Sequence, residues 1–252
     1  MKKTILQTSE LCKSFANNGI QNHVLNMVDL TIYEGDFTVI MGSSGAGKST
    51  LLYTLSGMDQ VTTGSVNYQG IDITKLKEKD MAQLRASAFG FVFQQTHLIS
   101  NLSLLENVMV SGYLLKKTGK QIQERSKMLL TTMGVHEAMN RLPAQVSGGE
   151  AQRAAIARAM INEPKLLFAD EPTGSLNKRS SEEVLALFSK LHQQGQSIIM
   201  VTHDMKAAIH ANRLIYLEDG RILDEMQLPL FQAEDIRRRE AQVNTWLSSL
   251  EW

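Results

Sequence analysis

The stretch that most constrains this chain is Gly42-Ser43-Ser44-Gly45-Ala46-Gly47-Lys48-Ser49, which meets the pattern G-x-x-x-x-G-K-[ST] at every fixed position. It follows an apolar, β-rich run, Phe37 to Met41, and leads into a helical pattern that contains Leu51, Leu52, Leu55 and Met58. Strand, small-residue loop and helix in that order make a phosphate cradle. The small residues let successive backbone N–H groups curl round a β-phosphate, and the helix adds the positive end of its dipole. In such a cradle Lys48 reaches the β- and γ-phosphates, and the Ser49 hydroxyl ligates Mg²⁺.

The rest of the chain suits an α/β fold. Short β-rich runs, Phe91 to Phe93, Leu166 to Ala169 and Ile198 to Thr202, alternate with helical patterns, which predicts a buried, mostly parallel sheet. From about 98 to 162 the sequence reads as almost continuous helix, including Leu104 to Leu115 and Gln121 to Met133, and predicts a helical lobe inserted between strands. Ser180 and Glu183 have capping-box spacing ahead of Val184, Leu187, Phe188 and Leu191, and Gly195 is placed to end that helix. Residues 1 to 225 read as one domain and 226 to 252 as an accessory helical tail. On that tail Ile236, Val243, Leu247 and Leu250 share a face, with Arg237, Arg238 and Arg239 mostly off it.

Two further stretches carry chemistry. Leu166 to Ala169 delivers Asp170 and Glu171 to a strand end, where open α/β sheets bind ligands; Asp170 suits a Mg²⁺ water shell and Glu171 the attacking water. In VSGGEAQR, residues 146 to 153, Ser147 and Glu150 again have capping-box spacing. Capping leaves Gly148 and Gly149 unexplained, since glycines in a first turn weaken a helix but let N–H groups approach a bulky anion. A γ-phosphate bound to a second copy of the chain suits this helix start.

The order of these motifs resembles the nucleotide-binding subunit of an ABC transporter over nearly all of residues 1 to 225. GSSGAGKS resembles that family's Walker A, VSGGE its signature and LLFADE its Walker B. The resemblance implies a P-loop NTPase core with an N-terminal antiparallel β portion and an inserted helical lobe. It makes Gln94 the Q-loop residue on Mg²⁺ and the attacking water, and His203 the switch histidine on the γ-phosphate. Phe15 becomes the aromatic that stacks on adenine, and Thr50 joins residues 42 to 49 in holding the nucleotide. It implies ATP and Mg²⁺ as cofactors, a homodimer round two ATP, and a separate membrane permease that places the chain on the cytoplasmic face of a cell membrane. Local phrasing, ADEPTGSL and GFVFQ, resembles the group serving macrolide export, lipoprotein release and bacitracin-type peptide resistance. Val146 and Glu150 stand where the commonest signature has Leu and Gln, and Asn177 where the family usually has Asp.

Composition narrows the alternatives. Lys plus Arg and Asp plus Glu are 26 each, so no global positive field draws the chain to nucleic acid. Cys12 is the only cysteine, which excludes an intrachain disulfide and fits a reducing compartment. No apolar run approaches the roughly 18 residues of a membrane span. A soluble ABC-type ATPase of DNA repair or translation is the alternative, but the long coiled coil or the second ATPase copy of those proteins is not in the sequence.

Overall fold

The computed structural model describes residues 2–17 and 20–250. In chain order the strands are β1 (Thr4–Asn17), β2 (Ile20–Val28), β3 (Thr31–Tyr33), β4 (Phe37–Met41), β5 (Thr63–Tyr68), β6 (Ile71–Asp72), β7 (Phe89–Phe93), β8 (Leu166–Asp170), β9 (Ser197–Val201), β10 (Arg213–Glu218) and β11 (Arg221–Gln227). The α-helices are α1 (Lys48–Leu55), α2 (Glu78–Ala88), α3 (Leu104–Gly112), α4 (Gly119–Thr132), α5 (Gly148–Met160), α6 (Lys178–Gln193), α7 (Met205–Ala208) and α8 (Ile236–Ser249). Two compact units result, one drawn from the chain up to Met81 and from Leu191 onward, the other from Ala82–Lys190.

In the first unit β4 pairs in parallel with β9 and β10, and β11 runs antiparallel to β10. Every residue of β4 is buried, which is why the run Phe37 to Met41 shows no polar alternation: both faces of a central parallel strand are covered. A second, antiparallel set joins β1 to β2, β3 and β5, and β5 to β6. Helix α1 stops at Leu55, so Met58 is not on it and is exposed. The stop is a Schellman turn: Met58 N–H donates to Tyr53 O at 2.9 Å and Gly57 N–H to Thr54 O at 3.2 Å, with Gly57 at φ +64°. Gly195, at φ +91°, ends α6 with the same pair of bonds, Gln196 N–H to Leu191 O and Gly195 N–H to His192 O.

In the second unit β7 and β8 are parallel, and the rings of Phe89, Phe91 and Phe168 pack together with centroids 5.1 to 6.5 Å apart. Strand β7 begins two residues before the predicted run, at Phe89, and β8 continues through Asp170. The stretch read as nearly continuous helix breaks into two single-turn 3-10 helices, His136–Ala138 and Pro143–Gln145, and the three helices α3, α4 and α5. Capping boxes open each: Ser103 with Glu106, Thr118 with Gln121, and Ser147 with Glu150. Each box fixes an extended residue at its N-cap, and a helix cannot run through such a residue. Ser180 and Glu183, by contrast, form no box. Asn177 takes the cap, its Oδ1 accepting from Ser180 N–H at 3.0 Å, while Glu183 pairs with Arg153 at 2.6 Å and Arg179 at 3.2 Å.

The last helix docks on the first unit through Val243 and Leu247, both buried. Arg239, expected off this face, is only 2% exposed. Its guanidinium donates to the carbonyls of Ile209, at 2.6 Å, Pro229, at 2.7 Å, and Ala211. The Ile209 and Ala211 carbonyls lie where α7 ends, and a cation there meets both their lone pairs and the negative helix terminus. Beside it His210 stacks on Phe231 with centroids 4.2 Å apart. Burial, with Arg239 adding repulsion, lowers the His210 pKa from 6.5 to about 4. The unfolded chain therefore binds the extra proton between these values, so the stabilisation is complete above pH 6.5 and is lost as pH falls toward 4. Urea unfolding at pH 7.5 and pH 5 is expected to differ by up to about 2 kcal/mol more in the wild type than in His210→Gln. Equal pH slopes in the two proteins would refute the assignment.

Candidate nucleotide site

The phosphate loop belongs to the first unit. It leaves β4 at Gly42 and enters α1 at Lys48, with Gly42, Gly45 and Gly47 at φ +150°, +90° and +100°. The first and last of these also have no room for a side chain. A Cβ on Gly42 would lie 1.9 Å from the Leu217 carbonyl oxygen, and one on Gly47 would lie 2.8 Å from that of Val24. Lys48 Nζ donates to Gly42 O at 2.9 Å and Ser43 O at 2.7 Å, which closes the loop on itself. Gly47, at the N-cap of α1, makes no side-chain cap bond, which leaves the cradle to backbone donors. Ser44 and Gly45 are exposed, Ala46 and Gly47 buried, and Lys48, Ser49 and Thr50 half-buried.

Phe15 lies on β1 and is 45% exposed. Lys13, two residues earlier and so on the same strand face, sits 4.6 Å from its ring centroid. Lys13 is itself anchored by Asp59 Oδ1 at 2.6 Å and Gln60 O at 2.7 Å. A cation fixed at one aromatic ring leaves a steady platform for stacking. Lys13 was not singled out from the sequence, although its period-2 spacing from Phe15 is visible there. His203 follows β9 and is exposed, just ahead of Asp204, which caps α7.

The second unit carries the remaining motifs. Asp170 closes β8, and Glu171 follows at φ +45°, a left-handed conformation that is uncommon for a side chain of this size. The turn is held by Gly174 N–H on Glu171 O at 3.0 Å. Gln94, just past β7, is gripped by the same loop. Ser175 Oγ donates to Gln94 O at 3.1 Å, and a Cβ on Gly174 would fall 2.9 Å from Gln94 Nε2. Helix α5 fastens the other side of this segment: Gln152 Nε2 donates to Phe93 O at 2.9 Å, and Arg158 donates to Thr96 O and His97 O, each at 2.6 Å. Neither Gln152 nor Arg158 was identified from the sequence, because their partners are about sixty residues away and only packing brings them together.

At the start of α5 the two glycines separate. A Cβ on Gly149 would lie 2.7 Å from Ser180 Oγ, so its lack of a side chain follows from packing against α6 and needs no anion. Gly148 is exposed and meets only an ordinary 3.5 Å contact with Leu176. Ser147, also exposed, has its hydroxyl 2.7 Å from Glu150 Oε2, and this contact, with the Ser147 N–H, holds the Glu150 carboxyl below its ordinary range. The charge at Glu150, where the commonest signature has Gln, thus strengthens the cap at a helix N-terminus.

The ABC transporter family model matches residues 25–174, more than half of the chain. The chain belongs to the ABC transporter family. This cassette is 38% identical over 223 residues to the bacitracin export ATP-binding protein BceA of Halalkalibacterium halodurans, with 88% of each chain covered. It is 39% identical over 237 residues to the macrolide export ATP-binding/permease protein MacB of Wolinella succinogenes, covering 94% of this chain but 37% of that protein. The cassette thus spans little more than a third of the MacB relatives' length. Among solved structures it matches the dimeric structure of the bacterial ABC transporter cassette MJ0796 with a TM-score of 0.83, 35% identity, and coverage of 90% of this chain and 100% of that one. A post-hydrolysis state of MJ0796 bound to ADP and Pi matches at 0.83 and 34%, with the same coverage. The cassette is an ATP-binding ATPase with an α/β, P-loop core.

The residues of the cassette fit a magnesium nucleotide. A loop with no space for a Cβ at Gly42 or Gly47, a lysine folded over it and a serine on the first turn of the helix suit a chain of phosphates. Bound Mg²⁺ would neutralise phosphate charge, and within this unit Ser49 is the candidate side chain to hold it.

Proposed function

We propose that this cassette dimerises round two ATP and drives a membrane permease that exports or extracts an antimicrobial peptide, a drug or a lipoprotein. The names of the relatives, bacitracin and macrolide export proteins, support the cargo class, and the dimeric MJ0796 cassettes support the assembly. Among the described residues no helix is long and apolar enough to cross a membrane, so a permease segment elsewhere would supply the path. The cytoplasmic face of the membrane is then the working location.

In this reading Phe15 stacks on adenine, residues Gly42 to Thr50 hold the phosphates, and Glu171 orients water, with Gln94 and His203 reporting the γ-phosphate. Ser147, Gly148 and Gly149 would meet the nucleotide of the opposite subunit. The observation that carries the assembly is Gly148: an exposed glycine at a capped helix start for which the chain's own packing gives no reason. An anion from a second molecule would use the open backbone.

Mixing subunits tests this. Lys48→Ala and Ser147→Arg are each expected to be inactive as homodimers. In the mixed dimer both lesions fall in one composite site and the other stays intact, so ATPase activity should return in the mixture. No recovery, with heterodimers demonstrably formed, would show that the signature acts on its own chain's nucleotide.

A further inference from the structure

The turn between β10 and β11 holds the phosphate loop at three points. Leu217 O sets the limit on Gly42, as described above. Ser43 Oγ donates to Glu218 Oε1 at 2.6 Å, with Ser43 N–H 3.4 Å from Glu218 Oε2. Gly220 N–H donates to Ala46 O at 3.1 Å, while Gly220 O accepts from Asn26 N–H at 3.0 Å. The turn is itself rigid: Asp219 and Gly220 lie at φ +47° and +71°, the conformation of a tight two-residue hairpin, and a Cβ on Gly220 would lie 2.3 Å from Val24 O.

Tyr216, two residues earlier on β10, lies on the same strand face as Glu218 and leads away from the loop to α8. The Tyr216 ring meets Trp246 of α8 edge to face, centroids 6.4 Å apart and planes at 88°. Trp246 is fixed in turn by its Nε1–H on Asp224 Oδ2 of β11 at 2.7 Å. Ser43 is the main group keeping the Glu218 carboxyl below its ordinary range, so the carboxylate is charged and bound to the loop at neutral pH.

A carboxylate beside a loop that binds polyphosphate has two opposed effects. Repulsion weakens nucleotide binding; fixing Ser43 orders the loop before the nucleotide arrives and strengthens it. The short charge-assisted bond to the Ser43 hydroxyl makes ordering the larger effect. We propose that Glu218 is a positioning residue for the phosphate loop, carried by a hairpin that the C-terminal helix braces through Trp246. This rests on the reading of the loop as the ATP site.

Calorimetric titration with MgADP tests this. Glu218→Ala should raise the MgADP Kd by about ten-fold and Glu218→Gln, which keeps an acceptor, by only about two- to three-fold, since charge-assisted bonds are roughly twice as strong as neutral ones. Adding Ser43→Ala to Glu218→Ala should weaken binding no further, because both lesions break one contact. Unchanged or tighter binding by Glu218→Ala, a loss in Glu218→Gln as large as in Glu218→Ala, or a further loss in the double variant overturns the proposal. If MgADP does not bind the wild-type protein at all, the ATP-site reading fails along with it.

Discussion

Glu171→Gln is expected to bind ATP as the wild type does and to hydrolyse it on the order of 10²- to 10⁴-fold more slowly, the usual contribution of a positioned general base. Glutamine keeps the volume and an acceptor but has no carboxylate to orient or deprotonate water. The substitution leaves Lys48, Ser49 and Asp170 in place, so the protein should stop after nucleotide binding and accumulate as an ATP-bound dimer. The left-handed backbone at residue 171, φ +45°, is held by the turn to Gly174, so the fold is expected to survive the change. Single-turnover hydrolysis and sizing chromatography with saturating ATP check both outcomes. Turnover near the wild-type rate, or a monomer under saturating ATP, would remove Glu171 from the role proposed for it.

Gly42→Ala is expected to have a comparably large effect through geometry alone. The new Cβ would lie 1.9 Å from the Leu217 carbonyl oxygen, so the loop or the end of β10 must move by more than an ångström. Lys48 is bonded to Gly42 O and Ser43 is bonded to Glu218, so the displacement reaches both the ammonium and the start of the cradle. Misplacement by about 1 Å costs on the order of 10²-fold at a site built for close approach, and MgADP affinity should fall by at least that much. Gly35→Ala is the control. Gly35 also has a positive φ, +78°, but nothing lies within 4 Å of its Cβ position. That variant should lose about 1 kcal/mol of stability from backbone strain and keep its MgADP affinity. Equal affinity in Gly42→Ala and the wild type would show that the loop tolerates the movement.

The parts legible in the sequence are those whose cause is local. The fixed glycines and lysine of residues 42 to 49 determine a loop conformation within a single turn. The unbroken apolar run from Phe37 to Met41 specifies a strand covered on both faces, and Gly195 fixes a helix end through its own φ. Capping boxes are local too, yet spacing alone did not decide between them. Ser147 with Glu150 forms one, while Ser180 with Glu183 does not, because Asn177 reaches Ser180 N–H first and Arg153, thirty residues away in sequence, takes Glu183.

Only the tertiary structure decided what each polar group found as a partner. Arg239 reads as one of three surface arginines and becomes a buried cap on α7, since its angle on the helix lies at the edge of the face of Val243 and Leu247. Gly149 and Gly148 are the same residue type side by side, but one faces Ser180 of a neighbouring helix and the other faces solvent. Glu218 carries no motif, and its place beneath Ser43 exists only because β10 pairs in parallel with β4 and both strands end at the loop. By itself the sequence determined the phosphate cradle, the acidic strand end and the capped helix start, because bond geometry and hydrogen bonds within a few residues suffice for each. Long-range pairing determined which side chains hold those pieces still, since a buried donor or acceptor takes the partner that packing brings near and sequence separation carries no trace of that choice.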